Sequence, residues 1–117
     1  MSESEPSIFT RIIAREIPAD IVFENDALIA FRDINPQAAV HLLVVPKTDA
    51  YPTVVELAAA EPQLLADIVA AASALATEHA NGEFRLVFNT GVSAGQTVMH
   101  AHAHVLSGPL PEGTLAQ

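Results

Sequence analysis

The chain has neither cysteine nor tryptophan among its 117 residues. Without cysteine there is no disulfide framework and no thiolate-ligated metal. Positive charge is scarce: five Lys and Arg stand against fourteen Asp and Glu, a formal net charge of −9. Sequence-independent binding to nucleic acid runs on clustered Lys and Arg, so no nucleic-acid polymer is expected as a partner. A single nucleotide is not excluded, because a few local donors can hold it. Long apolar runs are also missing. No stretch approaches the roughly 20 residues that span a bilayer, and no membrane partner is expected. The opening Met1-Ser-Glu-Ser-Glu-Pro6 is acidic, the reverse of a signal peptide's basic start, which favours a cytoplasmic protein. No repeat, linker or low-complexity tract divides the chain. We therefore expect one domain over residues 1–117, with 1–6 a flexible acidic start and 107–117 an irregular tail.

What the chain does have is histidine in an ordered place. His100, His102 and His104 alternate in Val98-Met-His-Ala-His-Ala-His-Val-Leu106. If that run is a strand, the three imidazoles share one face, while Met99, Ala101, Ala103 and Val105 share the other. Small residues there let another element pack closely behind. Three core histidines, each satisfied locally, would be the bland explanation. It requires a partner for every buried ring nitrogen, a cost that three on one face multiply. The loop before the row, Asn89-Thr-Gly-Val-Ser-Ala-Gly-Gln-Thr97, is small, polar and contains glycine. Alone it reads as a hairpin connection. Beside three histidines it reads as a phosphate cradle, with Gly91 and Gly95 turning N–H groups inward and Asn89, Ser93, Gln96 and Thr97 adding donors.

The remaining elements follow from pattern. Ser7 can cap a short helix reaching about Glu16, ended by Pro18. Ile21–Glu24 and Ala27–Arg32 flank Asn25-Asp26 as a hairpin. His41–Val45 is a buried strand, and Thr53–Ala58 a short helical turn. A long helix starts at Glu61-Pro62, with Leu65, Ile68, Val69, Ala72, Leu75 and Ala76 at helical spacing. Asn81-Gly82 stops it, and Phe84–Phe88 forms a further strand. The sum is an α+β fold, an antiparallel meander with one long helix and a short N-terminal one.

Three blocks carry a family resemblance. Gly95-Gln-Thr-Val-Met-His-Ala-His-Ala-His-Val-Leu106 resembles the signature strand of the histidine-triad (HIT) superfamily, in its nucleotide-binding HINT-like branch. Asp33-Ile-Asn-Pro-Gln-Ala-Ala-Val-His-Leu-Leu-Val-Val-Pro-Lys47 is similar to that family's upstream block. Ile8-Phe-Thr-Arg-Ile-Ile-Ala-Arg-Glu-Ile-Pro-Ala19 is similar to its N-terminal helix and exit turn. The blocks occur in the family's order and cover most of the chain.

The resemblance implies a HIT-like fold and a hydrolase of purine nucleoside phosphoramidates, working through a nucleotidyl-histidine. It makes His102 the nucleophile, which spacing alone does not select. His104 and Thr97 would hold phosphate and assist the leaving group, and His100 and His41 would orient the nucleophile. Gly95, Gln96, Thr97, Val98 and Asn89 would surround the phosphate. Asp33 would accept both hydroxyls of a ribose, although aspartate there also suits a turn cap. Ile8, Phe9, Ile12, Phe31 and Ile34 would be core by default; by resemblance some line a purine slot, with Arg32 beside it. His41 alone would be a satisfied core histidine. His79, near the end of the long helix, has no family role and is expected to face solvent.

The resemblance further implies a two-fold homodimer built on the long helix and the strand from Phe84, a solution short chains often use. No cofactor or metal is expected. Glutamine at the third position of the row marks the superfamily's transferases, so His104 points to hydrolysis. Three departures stand out: Arg32 where animal HINT proteins carry histidine, Thr97 for the commoner serine, and a tail without their terminal tryptophan.

Other classes remain open at this level. A histidine metal site would need His41 or Asp33 as a further ligand, because three histidines on one strand span roughly 13 Å. A dinucleoside polyphosphate hydrolase, or a nucleotide-binding regulator with little turnover, would keep every pocket feature.

Overall fold

The computed structural model describes residues 7–111. Helix α1 (Ile8–Ile13) is followed by strands β1 (Ile21–Glu24), β2 (Leu28–Arg32) and β3 (Val40–Pro46). Helices α2 (Val54–Ala60) and α3 (Pro62–His79) come next, then β4 (Arg85–Val87) and β5 (Ala103–Ser107). The fold is α+β, with one antiparallel sheet in the order β1-β2-β3-β5-β4. The first three strands form the expected meander. The last two do not continue it: β4 lies at the far edge and β5 returns between β3 and β4. The α2–α3 excursion carries the chain across the sheet before the histidine segment closes it.

Strand alternation sorts the core into two layers. Leu28 and Ala30 of β2, Leu42 and Val44 of β3, and Ala103 and Val105 of β5 face α3, where Leu64, Ile68, Ala72 and Leu75 meet them. Ile29 and Phe31, with Leu43 and Val45, face the other way and pack on Phe9 and Ile12 of α1. The small residues Ala101 and Ala103 let α3 sit close, as their place in the row implies. The α3 face is turned slightly from expectation. Leu64 is buried while Val69 is 42% exposed, and Leu65 is only partly buried.

Helix α1 ends at Ile13, three residues short of the expected limit. Ser7 caps it as expected, accepting from the Thr10 N–H. Arg15 then adopts a left-handed conformation (φ 66°). Its N–H reaches the Ile12 carbonyl and that of Glu16 reaches Arg11, a Schellman closure that satisfies the last carbonyls. The left-handed residue costs an arginine more than a glycine; ion pairs of Arg15 and Lys47 with Glu24 hold the corner. Helix α2 runs to Ala60, beyond the expected Ala58, and a Thr53/Glu56 capping box opens it. Strand β4 is shorter than Phe84–Phe88, because only Arg85–Val87 find partners on β5. Strand β3 extends one residue past each expected end, and β2 starts at Leu28 because the Asn25 carboxamide holds Ala27 in the turn. Ser107, placed by pattern in the tail, ends β5 opposite Val40. The expected flexible start at 1–6 and the tail beyond residue 111 lie outside the described residues.

Candidate active site

The histidine run is only partly strand. Regular pairing begins at Ala103, so His104 alone of the three lies in β5, opposite Leu43. Residues 98–102 approach the sheet without pairing, and the Ala101 N–H donates to the Tyr51 carbonyl instead. The alternation of faces nonetheless survives for the alanines and histidines. Ala101, Ala103 and Val105 enter the α3 core, while the imidazoles line up on the α1 side. The Phe9 ring meets His100 and His102 edge-on, at centroid distances of 5.8 and 4.8 Å. His102 meets His104, and His104 meets His41, each at 5.2 Å. Met99 leaves the pattern and is 47% exposed, because the backbone bends before pairing starts.

Hydrogen bonding assigns a proton to one nitrogen of each ring. The Pro46 carbonyl can only accept, so His100 carries its proton on Nε2 (2.8 Å). Its Nδ1 then accepts from the Ser7 hydroxyl at 2.9 Å. Both nitrogens are satisfied and the residue is fully buried; His100 ties the cap of α1 to the end of β3. Its carbonyl accepts from His102 Nδ1 at 2.7 Å. That bond puts the proton of His102 on Nδ1 and leaves a lone pair on Nε2. At His41 the Gln37 N–H donates to Nδ1 (3.0 Å), so the proton sits on Nε2 and points to His104 Nδ1 at 2.9 Å. His104 must then carry its own proton on Nε2.

Burial is the main cause lowering the pKa of each of these four imidazoles. For His104 the neighbouring His102 and His41 add to it, and the value falls to about 4. Asp33 opposes the shift at His41, His102 and His104. All four rings are neutral at neutral pH, which leaves His102 Nε2 free to act as a base or nucleophile.

A cavity of about 630 Å³ opens on this row, lined among others by Asp33, His41, Asn89, Thr97, His102 and His104. Gly95 also lines it. Asn35 and Gln37 join them, and pattern did not single them out. Gln37 acts through its backbone N–H, which leaves no mark in side-chain periodicity. A second cavity, about 580 Å³, adjoins His79 and Phe84. His79 is not solvent-facing as expected. Its side chain is largely covered, and Nε2 makes no hydrogen bond among the described residues.

Several expected members are occupied elsewhere. The Gln96 side chain is buried and accepts from the Gly91 N–H while donating to the Pro52 and Val98 carbonyls. It ties its loop to the segment before α2 and is not among the residues lining the cavity, a correction to its expected phosphate role. The amides of Ala94, Gly95 and Gln96 also turn back to Gly91 and Val92 carbonyls, so the loop is a closed turn and those N–H groups do not form an open cradle. Gly91 and Gly95 supply its positive φ values of 92° and 97°. The Asn89 amide nitrogen serves the Ala94 carbonyl. Arg32 pairs with Asp20 at 3.0 Å, outside the cavity lining. Phe9, Ile12 and Phe31 are core, with Val98 packed against them. Ile8 and Ile34 are not core: they are 46% and 96% exposed, and Ile34 rides on the turn that Asp33 caps through the Asn35 N–H.

The rival metal reading finds its ligands side by side. Asp33, His41 and His104 each offer an atom within 4.8 Å of the others. The protons argue against it. A metal on His41 Nε2 would force the ring proton onto Nδ1, where the Gln37 N–H already points. Metal-bound histidines need an acceptor at the other nitrogen, and His41 has a donor there.

An antiparallel α+β sheet bearing a row of neutral imidazoles beside a cavity defines the class, and comparison with known proteins gives the family. Residues 6–117 match the family described as scavenger mRNA decapping enzyme C-term binding. An uncharacterized HIT-like protein of Synechococcus elongatus is 47% identical over 106 residues, covering 90% of this chain and 92% of its own. The purine nucleoside phosphoramidase of Escherichia coli is 42% identical over 107 residues, covering 90% and 89%. The solved HIT family hydrolase of Clostridium thermocellum superposes with a TM-score of 0.84 at 41% identity, covering 95% of this chain and 97% of that one. The chain belongs to the histidine-triad superfamily, as the three sequence blocks imply.

Proposed function

We propose that this chain hydrolyses purine nucleoside phosphoramidates, releasing the nucleoside 5′-monophosphate. The observation that carries the reading is the bond from His102 Nδ1 to the His100 carbonyl, which leaves Nε2 unprotonated at the cavity. His102 Nε2 attacks the α-phosphorus. The phosphorus–nitrogen bond breaks, its electron pair stays on the amine, and a proton reaches that nitrogen from solvent by way of the Thr97 hydroxyl. Water then attacks the nucleotidyl-histidine, the bond to Nε2 breaks, and the monophosphate leaves. His104 offers its Nε2–H to a phosphate oxygen as a fixed donor, preorganised before charge develops. Asp33 accepts the ribose hydroxyls, and by the family resemblance the base lies against some of Ile8, Phe9, Ile12, Phe31 and Ile34, beyond the residues that line the cavity itself. A curated relative named for this activity, 42% identical, supports the substrate class.

A panel of purine nucleoside phosphoramidates and dinucleoside polyphosphates, scored for monophosphate release, tests this. Phosphoramidates should turn over fastest, and exhaustive chelation should leave the rate intact. Preference for the polyphosphates, or zinc-restored activity after chelation, would count against the reading.

We also propose that the chain acts as a two-fold homodimer in the cytoplasm. The exposed Val69 on α3 and the edge position of β4 support a partner there. Light scattering at micromolar concentration should give twice the chain mass; a monomeric mass contradicts the proposal.

A further inference from the structure

Asp33 sits where two parts of the site meet. Its N–H donates to the His41 carbonyl at 3.0 Å, which fixes the end of β2 against the start of β3. One carboxylate oxygen, Oδ1, is spent on the Asn35 N–H at 2.8 Å. The other, Oδ2, lies 3.4 Å from His41 Nε2, and the residue lines the cavity.

The Gln37 N–H leaves His41 a single proton, on Nε2. That proton has two acceptors within reach: His104 Nδ1 at 2.9 Å and Asp33 Oδ2 at 3.4 Å. How it is divided matters at the far side of His104. A fuller bond into Nδ1 polarises the ring and makes its Nε2–H a better donor, since linked hydrogen bonds strengthen one another. A hydroxyl donated to Oδ2 occupies a lone pair and offsets part of the carboxylate charge. The His41 proton then swings further toward His104.

We propose that Asp33 is a positioning residue that couples sugar recognition to phosphate chemistry, because its Oδ2 is shared between a ligand hydroxyl and the His41–His104 pair. The proposal rests on the nucleotide reading above and adds to it a specific consequence. Recognition of the 2′-hydroxyl raises the rate of the chemical step as well as the affinity. An interaction felt in the transition state lowers kcat when removed, whereas plain ground-state binding changes only KM. The same geometry limits His104 to donation. Giving up its Nε2 proton would require one from His41, whose Nδ1 already faces the Gln37 N–H.

The test uses the full chain with ¹⁵N-labelled histidine, and two matched probes: a purine ribonucleoside monophosphate and its 2′-deoxy counterpart. Steady-state kinetics on the two corresponding phosphoramidates accompanies the spectra. The ribonucleotide should move the His41 Nε2–H signal downfield and the deoxynucleotide should move it less. In the wild type the deoxy substrate should lose about tenfold in kcat, the scale of one charge-assisted hydrogen bond. In Asp33→Asn the two substrates should share one kcat, and the His41 signal should respond alike to both probes. A deoxy substrate that loses only in KM, with equal imidazole shifts, overturns the coupling and leaves Asp33 a plain ribose ligand. No turnover and no histidine shift with either nucleotide overturns the nucleotide reading itself, and the coupling with it. The wild-type comparison needs no variant, so a poorly folding Asp33→Asn does not obscure the outcome.

Discussion

His102→Asn should abolish turnover, by about 10⁴–10⁶-fold, and still bind a purine nucleoside monophosphate. The asparagine carboxamide can replace Nδ1–H as the donor to the His100 carbonyl, now made at 2.7 Å, so the local backbone keeps its bond. What it lacks is Nε2, the atom that forms the bond to phosphorus. Loss of a nucleophile costs far more than loss of a positioned donor. His104→Ala, which removes a fixed donor, should therefore cost less, about 10²–10⁴-fold. Affinity for the monophosphate should change little in His102→Asn, because Asp33, Thr97 and His104 still line the cavity. Quenching the wild type without acid should trap labelled nucleotide on His102, as phosphorus–nitrogen bonds to histidine are acid-labile. Stereochemistry checks the same step independently: two in-line displacements retain configuration at a chiral phosphorus. Inversion would exclude the covalent intermediate, even with His102 shown to be essential.

The sequence made the row visible because faces alternate along an extended chain whether or not it is paired. Ala101 and Ala103 reach the α3 core and the rings of His100 and His102 reach Phe9, although pairing starts only at Ala103. The same alternation sorts the two-layered core in the structure: Leu28 and Ala30 fall on one side of β2, Ile29 and Phe31 on the other. Proton positions were not legible. They are set by the carbonyls of Pro46 and His100 and the amide of Gln37, backbone groups present at every position and aimed only by the fold. Gln96 shows the converse error. A glutamine in a polar glycine-containing loop offers the same donors to a phosphate as to its own loop, and burial decides between them. Here the Gly91 N–H and the carbonyls of Pro52 and Val98 claim it. Arg32 likewise had a charge to offer, and Asp20, beside it at the open end of the β1–β2 hairpin, takes it.

Stability should fall as pH drops below about 6.5 toward 5, more steeply than carboxylate titration allows. His41, His100, His102 and His104 all have folded pKa values below the ordinary 6.5, with burial as the first cause. The sign follows from linkage. Between the unfolded and folded values, the unfolded chain binds protons that the folded chain refuses, so stability rises with pH across that interval. The contribution is complete above about pH 6.5 and is lost progressively below it, down to about 4 for His104. Each imidazole that takes up a proton on unfolding adds a slope of about 1.4 kcal/mol per pH unit. Free carboxylates titrate at about 4, below this window, and free imidazoles at about 6.5, at its upper end. Calorimetric melting should show a Tm nearly level from pH 7.5 to about 6.5 and falling from there to pH 5, and His104→Gln should flatten that fall by removing one titrating ring. Catalysis by the folded chain should decline only further toward acid, where the depressed His102 itself takes up a proton and loses its lone pair on Nε2. A Tm unchanged across the window would mean that the folded imidazoles accept protons as readily as unfolded ones. The neutral chain from Gln37 through His41 to His104, and the free Nε2 of His102, would then be wrong together.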